Sequence, residues 1–141
     1  ILPSILMEIE PAYGIADFAS IVQHARDEGQ PLIEALKTRG VLAWYIGDSF
    51  IKQSAPTEAA LYYQIALEYY ITQSDASSVA TLQWQLAQAL AVTPARIDEA
   101  RGHATASLAY HQAAGEQATA ATISRWLKHM ASRPRPNQST P

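Results

Sequence analysis

Trp44-Tyr45-Ile46-Gly47-Asp48-Ser49-Phe50 returns, thinned but in register, as Trp84-Gln85-Leu86-Ala87-Gln88-Ala89-Leu90. The two stretches are 40 residues apart (84 − 44). The segments C-terminal to them repeat as well. Ala59-x-x-x-Tyr63-x-x-Ala66-Leu67 aligns with Ala100-x-x-x-Ala104-x-x-Ser107-Leu108 at an offset of 41 (100 − 59). A weaker third copy of the first element, Ile123-Ser124-x-x-Leu127, stands 37 residues beyond Leu86 (123 − 86). Self-similarity at this period marks a chain built from stacked supersecondary units. A small residue beside a large apolar one lets two helix backbones approach, and the large residue one turn on fills the groove between them. Ala59, Tyr63 and Ala66 fall at i, i+4 and i+7, one face of the second helix of a pair.

Outward from the repeat, the chain punctuates itself as helices. Ile15, Phe18, Ala19, Ile21, Val22 and Ala25 recur at helical spacing, and Asp27-Glu28-Gly29-Gln30-Pro31 stops that helix at about Glu28. Apolar periodicity continues from Leu32 to Gln53, with Gly40 as a break between a short and a longer helix. Thr57 is the expected cap of a helix over Glu58–Gln73 that ends at Ser74-Asp75. Ser77 or Ser78 is the expected cap of the next, which runs to about Val92 before Thr93-Pro94. Asp98 and Glu99 suit the first turn of a helix reaching Ala114, closed by Gly115, and a last helix spans about Glu116 to Ala131. An apolar segment at 2–10 precedes all of these. The tail 132–141 holds three prolines and no apolar side chain, so disorder is expected there. Short loops and the absence of period-2 alternation give an all-α fold of six to seven helices with antiparallel neighbours.

Composition agrees. Apolar residues make up 48% of the 141 and charged residues 16%, the balance of a packed domain and the reverse of a disordered chain. The net charge of −3 is uneven. Residues 1–70 carry nine acids against four Lys/Arg, and residues 71–141 four acids against six. Neither half has the basic density of a nucleic-acid binder, and Arg125, Lys128, Arg133 and Arg135 suit a helix C-terminus. There is no cysteine, which removes disulfides and thiolate metal sites and fits a cytoplasmic setting. No apolar run approaches the ~20 residues of a membrane span. Ile1-Leu2-Pro3-Ser4 lacks an initiator Met and the form of a signal peptide, so the chain is expected to be a fragment or processed product of something longer.

Groups with catalytic chemistry are scarce. His24, His103, His111 and His129 are never three or four residues apart, which rules out an HExxH-type metal pair. Glu8 and Glu10 sit too near a helix end to suggest an acid/base pair. There is no Gly-rich phosphate loop, nucleophile elbow or cysteine nucleophile. The expectation is a non-enzyme without cofactor or metal. Tyr62-Tyr63 and Tyr69-Tyr70 make one helix aromatic on nearly every side, with Tyr63 and Tyr70 expected in the core and Tyr62 and Tyr69 in a second buried contact.

Residues 43–73 resemble the tetratricopeptide repeat family through Ile46-Gly47, Phe50, Ala59, Tyr63 and Ala66-Leu67. Residues 83–112 match less well, with Ala87 for Gly, Leu90 for the aromatic and Ala104 for the second aromatic. The closing proline is missing after Leu67, and the spacing exceeds the family's usual ~34. The resemblance implies helix pairs stacked over 41–131 as a short right-handed α-solenoid, with residues 1–40 packing on or capping them. It also implies a concave groove lined by the first helix of each pair. The groove-facing positions would be Trp44, Asp48, Ile51 and Lys52 in one repeat and Trp84, Gln88 and Val92 in the next. The expected partner is a protein or peptide, with neither nucleic acid nor membrane. Both tryptophans could equally seal the core between pairs. Rival expectations are a spacer or homo-oligomerisation module, and a helical regulatory portion of an enzyme or ATP-dependent switch lying outside this segment.

Overall fold

The computed structural model describes residues 17–133. The apolar segment at 2–10 and the tail from 134 onward lie outside them. Within the described residues the chain is all-helical, with seven α-helices: α1 (Phe18–Glu28), α2 (Gln30–Leu36), α3 (Gly40–Lys52), α4 (Pro56–Thr72), α5 (Ala76–Leu90), α6 (Ile97–Ala113) and α7 (Gln117–Ala131). A single 3₁₀ turn, Pro94–Arg96, joins α5 to α6. The chain divides between Ser74 and Asp75 into two compact units.

Local chemistry sets the helix ends. Asp17 caps α1 by accepting from the Ser20 N–H at 2.8 Å. Gly29, at φ 60°, closes α1 and opens α2, whose first turn contains Pro31. The expected break between a short and a longer helix is present, at residues 37–39 directly before Gly40, which is the first residue of α3. Its missing side chain has another use. A Cβ at Gly40 would collide with the ring of Tyr69, so glycine is required by close packing. Thr57 does not cap α4, because Pro56 already supplies a first turn with preset φ and Ala55 takes the cap position. Likewise Asp75 displaces Ser77 and Ser78 as the cap of α5. Its carboxylate accepts from the Ser78 N–H at 3.1 Å and the Ser78 hydroxyl at 2.8 Å.

One turn design recurs three times. Gln53-Ser54-Ala55, Gln73-Ser74-Asp75 and Ala114-Gly115-Glu116 each place the middle residue in the left-handed region, at φ 58°, 55° and 76°. After α3 and α6 the hydrogen bonds are those of a Schellman motif. Ala55 N–H donates to Phe50 O and Ser54 N–H to Ile51 O, while Glu116 N–H donates to His111 O and Gly115 N–H to Gln112 O.

In the first unit α3 lies along α4, with α1 against α3 and α2 against α4. Gly40 meets Tyr69, Gly47 meets Tyr63 and Phe50 stacks on Tyr62, so the α3–α4 pair is antiparallel. Ile46, Phe50, Ala59, Tyr63 and Ala66 are all buried. Arg26 of α1 grips Glu58 in the first turn of α4 through two bonds, of 2.9 and 2.6 Å, and lies 5.5 Å from the Phe50 ring centroid.

In the second unit α5 packs on α6 and α6 on α7. Leu86, Ala87, Leu90, Ala100, Ala104 and Ser107 are buried. The buried Ser107 hydroxyl donates to Ala80 O at 2.7 Å, tying α6 to α5. Arg101 of α6 bonds the carbonyl of Met130 in the last turn of α7, where a cation and a donor are both favourable. Ile123, in the third copy of the pattern, is fully buried, whereas Ser124 and Leu127 are half-buried.

Candidate functional site

The repeat is visible in side-chain geometry within each unit. Tyr69 and Tyr70 meet edge-on, with centroids 5.1 Å apart at 90°. Forty-one residues on (110 − 69), Tyr110 and His111 do the same, 5.3 Å apart at 84°. Gly47 and Tyr63 show why the second copy looks degenerate. A Cβ at Gly47 would stand 2.7 Å from Tyr63 Cδ1. At the equivalent place in the second unit Ala104 replaces the tyrosine, so the ring that forbids a side chain is gone and Ala87 is accommodated.

Trp44, Asp48, Ile51 and Lys52 lie on one face of α3, at i, i+4, i+7 and i+8. Trp44 is half-buried and packs edge-on against Tyr70, 5.5 Å between centroids at 74°. Asp48 is half-buried and accepts from the Tyr63 hydroxyl at 2.6 Å. Burial of Tyr63 and that bond to an anion both favour the neutral phenol and push its pKa far above the usual tyrosine range. Ile51 and Lys52 are exposed at the end of α3.

The second set is smaller. Trp84 and Gln88 lie one turn apart on α5, and Val92 falls two residues past its last residue, 55% exposed. Trp84 is half-buried and meets Trp126 of α7 edge-on at 5.4 Å and 89°. Gln88 is exposed and turns its amide back on its own helix, donating to Trp84 O at 3.2 Å. With alanine at 104, no tyrosine hydroxyl reaches this position as Tyr63 reaches Asp48.

Both tryptophans thus have an aromatic neighbour inside their own unit, and neither is sealed in a core. The partners Tyr70 and Trp126 are 26 and 42 residues away along the chain (70 − 44, 126 − 84), beyond the reach of helical periodicity. Tyr62 and Tyr63 are buried, whereas Tyr69 and Tyr70 are half-buried. Tyr70 therefore departs from its expected core place, since it serves as a flank for Trp44 near the start of α3. Of the histidines, His103 is half-buried with its pKa lowered mainly by desolvation, and buried His111 has Nδ1 3.1 Å from Glu116 Oε1. Among the described residues no group of three His, Asp or Glu could hold a metal ion, and no helix is long and apolar enough to cross a membrane.

Compared with protein-family models, curated proteins and solved structures, the chain has no match.

Proposed function

We propose that this chain is a non-enzymatic, tetratricopeptide-like interaction module of a regulatory or signalling protein. On this reading it receives a peptide, a helix or a neighbouring domain along the first helix of a repeat, in a cytoplasmic setting. One observation supports it above others. The two copies bury the same repeat positions except the last, where Leu67 is buried and Leu108 half-buried, while α3 and the stretch from Trp84 to Val92 each present a half-buried tryptophan followed by exposed Ile51 and Lys52 or Gln88 and Val92. Tryptophan flanked by accessible side chains suits an interface anchor, and shape complementarity would matter more than charge.

The test is a peptide-display selection against the purified protein. Peptides enriched on the first repeat should lose affinity tenfold or more, about 1.4 kcal/mol, on Trp44→Ala and Ile51→Asp, and those enriched on the second on Val92→Asp. The last two alter exposed side chains and should leave the helical circular dichroism intact. Selected peptides that bind all three variants unchanged would place recognition elsewhere and sink the assignment.

A second reading, a spacer or oligomerisation module, draws on large apolar side chains left exposed in the first unit: Val41, Leu61 and Ile71, 58%, 47% and 56% exposed. Sedimentation decides between them. A concentration-independent monomer counts against self-association, and a stable homo-oligomer dissociated by Leu61→Glu or Ile71→Glu would favour it.

A further inference from the structure

We draw no further inference here: the strongest candidate, the open groove between α2 and α4 lined by Lys37, Ile65, Glu68, Tyr69 and Thr72, carries nothing because nothing in the structure shows what covers it.

Discussion

Tyr63 holds two relationships that can be separated by mutation. Its ring occupies the space a side chain at Gly47 would need, and its hydroxyl bonds Asp48. Gly47→Ala gains roughly 1 kcal/mol of helix propensity but overpacks a buried ring, at a cost of about 1–3 kcal/mol. A net loss of about 1 kcal/mol is expected in urea unfolding. Tyr63→Phe keeps the ring, so the penalty for Gly47→Ala should persist in that background, with about 1 kcal/mol further lost for the missing hydrogen bond. In a Tyr63→Ala background the same change should be neutral or stabilising. A double-mutant cycle with no coupling between 47 and 63 would show that the glycine is needed for some other reason.

The three matching turns make a comparable case for whole elements. Gly115 adopts its positive φ without a Cβ penalty, whereas Ser54 and Ser74 adopt theirs against one. Ser54→Gly and Ser74→Gly should each raise the unfolding free energy by about 0.5–1 kcal/mol, and Gly115→Ala should lower it by a similar amount. Equal stability of all three variants in thermal melts would contradict the shared turn design. These turns also show what a single sequence conveys. Helix number, the pairing and the small–large–small faces were legible because they depend on spacing. The glycine caps at Gly29 and Gly115 were legible too, but the N-caps of α4 and α5 were not, because Pro56 and Asp75 competed with Thr57, Ser77 and Ser78 at neighbouring positions and only backbone geometry settles such a contest. For the same reason the candidate site was legible as a face of α3 and a stretch of α5. The aromatic neighbours that fix Trp44 and Trp84 come from other helices and leave no local signal.

At the scale of the molecule, burial of tyrosine couples folding to alkaline pH. Burial raises the pKa of both Tyr62 and Tyr63. The unfolded chain, with phenols near pKa 10, therefore loses protons first as pH rises. Stability from this source is complete below about pH 10 and falls above it. Phenolate absorbance should show part of the seven tyrosines ionising only together with loss of helical circular dichroism. If all of them titrate around pH 10 while the helices persist, the described burial is wrong. The Gly47–Tyr63 and Ala87–Ala104 positions carry a consequence for how such chains diverge. Neither copy can drift to the other's residues one substitution at a time without passing through a clash or a void. The two sites form an epistatic pair, and a column-by-column comparison of the copies scores as two unrelated mismatches what is physically a single joint exchange.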